Sequence, residues 1–221
     1  MKRFWRENNL SVVLLGMFFT TFVFGQAFAG HRENNHELVA HGQPPIGFPD
    51  YLLSAHFFEA TTENWESEFL QMGLFVYLTV FLRQKGSAES KKLSEPEEVD
   101  RDPRRSKQKN IAPGPVRRGG WVLRIYENSL SLVFLALFLA SFLGHAASGA
   151  SEYNEDQVLH GGETVSWLGY MATSRFWFES LQNWQSEFLA IGCMVIFTIW
   201  LRQRGSPESK PVDAPHSQTG G

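Results

Sequence analysis

The sequence contains a single cysteine, Cys193, which lies within an apolar run. One cysteine can form neither an internal disulfide nor a cysteine-based zinc site. The formal net charge is only -3, so nothing indicates nucleic-acid binding by the whole chain. The sequence also has no phosphate-binding loop, no dinucleotide fingerprint, no Gly-x-Ser-x-Gly elbow and no zinc-protease helix. We therefore predict that the protein is not an enzyme and has no cofactor.

Two parts of the chain are similar to each other. Residues 64–91 align without a gap with residues 183–210, and 17 of these 28 positions are identical. Earlier matches are Glu-Asn-x-Leu-Ser at 7–11 and 127–131, and the His-Gly pairs at His41 and His160. Because each copy holds two apolar runs, we predict a duplicated helical pair. The expected organisation is a first repeat (1–92), a flexible charged linker (93–120), a second repeat (121–210) and a disordered tail (211–221).

The apolar runs predict four membrane-spanning helices. Residues 10–29 and 130–147 contain no Asp, Glu, Lys or Arg, and 20 residues of helix cover about 30 Å, the thickness of the hydrocarbon core. The second runs, residues 69–82 and 188–201, are short at 14 residues each. Trp65 and Trp184 precede them as interfacial anchors, and Arg83 and Arg202 follow, which favours spans. Each short run also follows a segment rich in aromatic residues, which predicts an interfacial helix or an extension of the span.

The first run has a second interpretation as a signal peptide. Lys2 and Arg3 precede it, and Ala27-Phe28-Ala29 resembles a cleavage site. The run is long for a signal peptide, however, and its copy lies inside the chain, where no signal peptide could act. We favour a retained helix.

The basic residues predict the orientation. Residues 1–9, 83–124 and 202–210 hold 18 of the 20 lysines and arginines, and only Arg32 and Arg175 lie in the two remaining segments. The positive-inside rule therefore places both termini and the linker in the cytoplasm. Both copies then point the same way, related by a pseudo-twofold axis along the membrane normal. The linker has a basic cluster that could attract anionic lipid, although a solvated loop is the favoured interpretation. The cluster comprises Arg101, Arg104, Arg105, Lys107 and Lys109.

One face of each short-span helix carries polar residues that are identical in the two copies. On a helical wheel these positions fall within about 100° of each other, so they could face a shared axis as an ion site, a proton site or a helix interface. The residues are Asn64, Glu68, Thr79, Arg83, Asn183, Glu187, Thr198 and Arg202. Glu68 lies about 22 Å from Arg83 along a helix, which places it within the outer part of the membrane. If Arg83 snorkels instead, Glu68 lies among the headgroups near a helix N-terminus capped by Asn64.

The histidines are considered separately because imidazoles near acids can bind metal ions. No His-x-x-x-His spacing occurs among the seven histidines, although His41 and His160 occupy matching places. We interpret them as loop residues and predict no metal site.

The paired Glu-Asn-x-Leu-Ser openings and Leu-Arg-Gln-x-Gly-Ser-x-Glu-Ser endings resemble a family of small multi-pass bacterial membrane proteins classed as a domain of unknown function. The resemblance implies a bacterial inner-membrane location, but no activity and no binding residues.

Two functional hypotheses follow. The first is a small conductor or transporter of protons or cations that uses Glu68 and Glu187. Four spans are few for a complete pathway, so it would need further copies of the chain. The second is a non-conducting membrane interaction or envelope-stress protein. In both, the partner is the lipid bilayer and not a nucleic acid.

Overall fold

The computed structural model describes residues 2–105 and 111–220. Within these residues the chain is helical and contains no β-strand, so the all-α prediction is confirmed. Lys107 and Lys109 of the predicted basic cluster lie outside the described residues.

The helices of the first copy are α1 (Lys2–Thr20), a π-helical segment (Thr21–Ala29), α2 (Gly30–Ala40), α3 (Phe48–Tyr51) and α4 (Ala55–Phe81). Two short 3₁₀ helices, Glu98–Asp100 and Pro103–Arg105, follow in the linker. Then come α5 (Gly114–Arg118), α6 (Gly120–Glu127), α7 (Ser129–Leu159), α8 (Trp167–Met171) and α9 (Ser174–Phe197). The aromatic segments before the short apolar runs are N-terminal extensions of α4 and α9.

Two of these helices are long and apolar enough to cross a membrane. They are the continuous helix Lys2–Ala40, with 39 residues, and α7, with 31 residues. Length and composition are the basis of this assignment. The helices α4 and α9 are not in this class, because charged and polar residues occupy their N-terminal halves while their apolar runs have only 14 residues.

The π-helical segment coincides with a difference in length between the copies. Glu7 and Tyr51 are 44 positions apart, whereas their counterparts Glu127 and Tyr170 are 43 apart. An extra residue within a helix is accommodated as a π-bulge. The first copy is π-helical over Thr21–Ala29, whereas α7 remains α-helical throughout. The π-helical segment therefore accommodates the extra residue of the first copy within the continuous helix Lys2–Ala40.

The described chain divides into two compact units. The first comprises Met1–Asn64 and Ser141–Phe178, and the second comprises Trp65–Ala140 and Glu179–Gly221.

Matching asparagines fix the loops of the first unit. The amide of Asn35 donates to the carbonyl of Ile46 (3.0 Å) and accepts from its N–H (2.8 Å). Asn154 makes the same two bonds with Val165, at 2.8 and 2.7 Å. Each asparagine thereby satisfies both backbone groups of a loop residue that a regular helix or strand would otherwise pair.

Each loop leads to a buried tyrosine that packs on a glycine. Tyr51 packs with Ala27 and Phe57, and Tyr170 packs with Ala146 and Phe176. A Cβ atom at Gly30 would collide with the Tyr51 hydroxyl, and one at Gly149 would lie 2.6 Å from Cε1 of Tyr170. Ala27, the first residue of the Ala-Phe-Ala sequence, is therefore part of this packing.

Candidate functional site

The buried carboxylate of the second unit belongs to Glu66 on α4. Its side chain is 0 % exposed, and its Oε1 accepts a hydrogen bond from Nε1–H of Trp184 on α9 at 3.2 Å. The neighbouring Ser67 is also buried. Desolvation of a carboxylate is costly, so a fully buried carboxylate is a candidate for function. A search for residues that are identical in the two copies does not find Glu66, because the matching residue is Gln185.

The two acids on the predicted face lie near each other. Glu68 is exposed and Glu187 is half-buried, and they are close enough for their charges to repel. The amide of Gln71 donates to the backbone carbonyl of Glu187 at 2.8 Å, which holds α4 against α9 at this level. The second unit therefore brings Glu66, Glu68 and Glu187 to one region of the α4–α9 contact, with only Glu66 fully enclosed.

The asparagines of the predicted face bond within their own helices. Asn64 donates to the carbonyl of Ala60 at 2.7 Å, and Asn183 donates to that of Glu179 at 3.2 Å. Because α4 begins at Ala55, Asn64 is an interior residue of the helix, and its interpretation as an N-cap is wrong.

The threonines of the predicted face differ in their surroundings. Thr79 is half-buried and donates to the carbonyl of Val76 at 3.0 Å. Thr198 is buried, and its hydroxyl lies 3.1 Å from that of Ser87 and accepts from the N–H of Ala88 at 3.3 Å. Thr198 therefore joins the end of α9 to the loop that follows α4, whereas Thr79 bonds within its helix.

The arginines of the predicted face cap their own helices. Nη1 of Arg83 donates to the carbonyls of Val80 (3.1 Å) and Leu82 (2.9 Å), and Nη1 of Arg202 donates to those of Thr198 (3.1 Å) and Leu201 (2.8 Å). The last carbonyls of a helix have no partner within it, and a cation there also interacts favourably with the helix dipole.

The residues that follow each capping arginine in the repeated ending also help to end the helix. Gly86 and Gly205 adopt positive φ angles of 86° and 85°. A serine lies four residues after each glycine. Its hydroxyl accepts a hydrogen bond from the backbone N–H of the glutamine that follows the capping arginine. The pairs are Gln84 with Ser90 at 2.9 Å and Gln203 with Ser209 at 3.0 Å. The Leu-Arg-Gln-x-Gly-Ser-x-Glu-Ser sequence is thus a helix-ending motif.

The tryptophans predicted as interfacial anchors have different roles in the structure. Trp65 is partly exposed and packs edge-on against Phe69. Trp184 packs edge-on against Phe138 as well as donating to Glu66. The location of either ring relative to a membrane interface stays a prediction.

The first unit has a cluster of charged side chains beyond the apolar run 130–147. Burial, and secondarily the charge of Glu155, raises the pKa of Glu152 to about 7; Arg175 opposes this shift, while Glu37 and Asp156 add to it. Arg175 forms an ion pair with Asp156 (3.5 Å) and lies over the ring of Tyr153.

The matching histidines of the first unit belong to helix ends, and the interpretation of the histidines as loop residues is wrong for those within helices. These are His31 and His36 in α2, His56 in α4 and His145 in α7. His41 and His160 precede Gly42 and Gly161, which have φ angles of 74° and 72° and terminate α2 and α7. Their rings lie 6.1 Å apart, and each donates to a carbonyl of its own helix. This is the geometry of a glycine C-cap, which explains the repeated His-Gly pair without a ligand.

His56 lies beside the charged cluster. Burial lowers the pKa of His56, while the charges of Glu37 and Glu155 oppose that shift. Partial burial therefore shifts the pKa of two neighbouring groups, lowering that of His56 and raising that of Glu152.

Another pair in the first unit consists of Glu59 and His145. Their donor atoms lie within 4.8 Å of each other, so they could share a proton or hold a cation. His145 is fully buried and stacks on Phe176 at 4.8 Å. This contact could not be predicted from the sequence, because Glu59 and His145 lie in different copies and at positions that do not match.

These features define an all-helical protein with two helices able to span a membrane, by length and composition, and with a buried carboxylate. The chain belongs to the family described as Domain of unknown function (DUF6766), whose model matches residues 1–221. The predicted resemblance to a family classed in this way is confirmed. No curated protein and no solved structure matches the chain.

Proposed function

We propose that the protein is a four-span membrane protein of the bacterial inner membrane that conducts protons or small cations as part of an oligomer. Two two-span repeats would place both termini and the linker in the cytoplasm. The observation that carries the proposal is the buried carboxylate of Glu66 at the contact between α4 and α9.

The duplication supports the four-span arrangement. Both copies contain an asparagine bound to a loop backbone, a tyrosine packed on a glycine and an arginine that caps the second helix. If the long apolar helix of each copy spans the membrane, its short second helix must return for 18 of the 20 basic residues to lie on one side. Polar extensions and thinning of the bilayer accommodate a short span.

A topology experiment tests this arrangement. In a Cys193→Ala background, a cysteine at Ser94 should react with a membrane-impermeant maleimide only after the cells are permeabilised. A cysteine at Glu163 should react in intact cells. The reverse pattern, or equal labelling from outside, would contradict the proposed orientation.

Glu66 is the charge-bearing group of the proposed pathway. An enclosed carboxylate can release a proton or bind a cation when an opening admits water, and Trp184 supplies a donor that orients it. Glu68 and Glu187 add negative charge at the same level, which favours cations over anions. Because Gln185 takes the place of Glu66 in the second copy, one chain supplies one such enclosed acid.

Flux through purified protein in liposomes tests conduction. The parent should conduct protons or a monovalent cation above empty liposomes, and Glu66→Gln should abolish this flux. Glu68→Gln with Glu187→Gln should reduce it, and the exposed loop variant Glu163→Gln should leave it unchanged. Absence of flux in correctly inserted parent protein would exclude the proposal.

A non-conducting interaction protein is the second candidate. It is favoured by the observation that Arg83 and Arg202 cap their own helices. A role in stability is therefore enough to explain why these two arginines are the same in both copies. In that case Glu66→Gln would change stability, and no variant would change ion flux.

A further inference from the structure

A glycine brings α4 close to α7 within the first unit. A Cβ atom added at Gly144 would lie 2.8 Å from Cγ2 of Thr62, so the absence of a side chain there permits the close approach of the two helices. The hydroxyls of Thr62 and Ser148 lie 3.4 Å apart across this contact. Glu59 lies one turn before Thr62 on α4. Its carboxylate thereby comes within 4.8 Å of a ring nitrogen of His145 on α7.

Aromatic rings hold the imidazole of His145 in place. The imidazole is fully buried, stacks on Phe176 at a centroid distance of 4.8 Å and packs edge-on against Tyr170. A metal-ligating histidine needs a fixed ring orientation, and apolar surroundings strengthen the interaction between a cation and its ligands. Glu59 is only half-buried, which leaves a route for an ion to enter.

Glu59 and His145 are both differences between the copies. Counted from the glycines on which the two tyrosines pack, the counterpart of His145 is Gln26, whose amide donates to Thr61 at 3.2 Å. The counterpart of Glu59 is Phe178. An uncharged amide and an apolar ring therefore suffice at these two places in the other copy. Packing of the helical pair does not explain a carboxylate beside a buried imidazole.

We propose that Glu59 and His145 are ligands of a site for a divalent transition-metal ion such as Zn²⁺. Imidazole nitrogen and carboxylate oxygen are both ligands of this class of ion, whereas Ca²⁺ and Mg²⁺ prefer oxygen ligands. A bond to zinc is about 2.0–2.2 Å long, so two ligand atoms of one ion lie up to about 4 Å apart. The separation in the structure therefore requires only a small adjustment of the Glu59 side chain.

The spacing of histidines along the sequence does not reveal this site, because its two ligands come from different helices. The inference is independent of conduction and does not involve Glu66. Failure of the flux experiment would leave the metal site unaffected, and failure to bind metal would leave the flux prediction unaffected.

Titration of the full chain with Zn²⁺ tests the site. The purified protein is treated with a chelator in detergent, and Zn²⁺ alone is then added in an isothermal titration calorimeter. We expect one Zn²⁺ per chain in the parent, and loss of this binding in both Glu59→Gln and His145→Gln. The latter variant introduces the residue that the first copy has at the matching position, so the helices should still pack.

The second histidine pair of the first unit provides the matched control. His41 and His160 are exposed, and their ring centroids lie 6.1 Å apart, so they offer another place for Zn²⁺. The double variant His41→Gln with His160→Gln should bind as the parent does. Loss of binding in this variant, with binding retained in the Glu59 and His145 variants, would overturn the proposal.

Absence of stoichiometric binding by folded parent protein would also overturn the proposal. Glu59 and His145 would then be a pair that shares a proton and binds no metal ion.

X-ray absorption at the zinc edge provides a measurement that needs no variant. The spectrum of the loaded parent should show one imidazole together with oxygen ligands. Two imidazoles would place the ion elsewhere and contradict the inference.

Thermal unfolding separates loss of the site from loss of the fold. An ion that binds only the folded state stabilises it, so Zn²⁺ should raise the melting temperature of the parent. Glu59→Gln should melt near the parent without metal and show no rise with Zn²⁺. An equal rise in the parent and in Glu59→Gln would mean that the carboxylate is not a ligand.

Discussion

Trp184 donates its indole N–H to the carboxylate of Glu66, and this bond joins two residues that the internal repeat does not relate. The counterpart of Trp184 is Trp65, whereas the counterpart of Glu66 is Gln185. The two copies therefore share the tryptophan of this contact but differ at the position of the acid.

Substitution of the donor should cost more than neutralisation of the acceptor. Trp184→Phe leaves the Glu66 carboxylate buried with one hydrogen bond fewer, at a cost of about 1–3 kcal/mol. Glu66→Gln retains an oxygen that can accept from Trp184, so we expect a smaller loss. The measurement is thermal unfolding in detergent. A double-mutant cycle of Trp184→Phe with Glu66→Ala, which removes the acceptor, should give a coupling of about 0.5–3 kcal/mol between the two residues. Additive effects would contradict the contact.

Asn35 and Asn154 should each be needed to hold their loops. Asn154 should be needed more, because His31 Nε2 also lies 2.8 Å from the carbonyl of Ile46 in the first copy. Asn35→Ala and Asn154→Ala each remove a donor and an acceptor from a loop residue, so each should lower the free energy of unfolding by about 1–3 kcal/mol. Asn→Asp at either site keeps the acceptor for the loop N–H but loses the donor, and should fall between parent and Ala. Denaturant unfolding measures the series. A larger loss in Asn35→Ala than in Asn154→Ala would contradict this difference.

Glycine substitutions distinguish the two tyrosine contacts. Gly30→Ala and Gly149→Ala should each destabilise the protein by about 1–3 kcal/mol through overpacking. At Gly30 the nearest atom is the Tyr51 hydroxyl and the next is Cζ at 3.2 Å, so Tyr51→Phe should rescue most of the loss. At Gly149 the nearest atom is Cε1 of Tyr170, which phenylalanine keeps.

Tyr170→Phe should therefore not rescue Gly149→Ala. Thermal unfolding of the two double variants beside Tyr51→Phe and Tyr170→Phe alone provides the comparison. Equal rescue at both sites would contradict the described packing.

The free energy of unfolding should decrease as the pH rises, because the pKa of Glu152 is raised in the folded protein. Its folded-state pKa is raised from 4.5 to about 7, so the folded protein keeps a proton that the unfolded chain has lost. The resulting stabilisation is complete below pH 4.5 and is lost as the pH rises through 7. Glu152→Gln should flatten this part of the melting-temperature profile and increase stability at pH 8 by roughly 1–3 kcal/mol. The matching variant Glu33→Gln, at an exposed position, is the control; an unchanged slope in Glu152→Gln would exclude this origin.

The sequence predicted the four apolar helices, but not the short helices between them or the side-chain contacts. Apolar runs predict helices because burial and lipid exposure both select apolar side chains, whereas the helix-ending role of the repeated Leu-Arg-Gln-x-Gly-Ser-x-Glu-Ser sequence became evident only from the structure. Glu66 was missed because the candidate residues were chosen from positions that are identical in the two copies, and Glu66 is matched by Gln185. The hydrogen bonds of Asn35 to the loop were missed because they go to backbone groups, which every residue type has, so no sequence pattern marks them. The π-helical segment, in contrast, could have been predicted from the one-residue difference in spacing.

Lys210 should hold the C-terminal segment in place. Its buried ammonium donates to the carbonyls of Gln218 (2.8 Å) and His216 (3.1 Å), and also to that of Gly86. Lys210→Met keeps much of the volume but leaves these carbonyls without their donor, which costs about 1–3 kcal/mol. We expect faster cleavage within residues 211–220 by a nonspecific protease, measured by mass spectrometry.

The matched control for Lys210 is Lys91. Its ammonium pairs with Asp100, so Lys91→Met should leave cleavage of the C-terminal segment near the parent rate. Lys210→Arg should restore little, because a planar guanidinium is larger than the ammonium enclosed by the three carbonyls and directs its donors differently. Equal cleavage rates in Lys210→Met and the parent would mean that the hydrogen bond of Gly220 to Ser87 and the hydroxyl of Thr219 are enough to hold the segment.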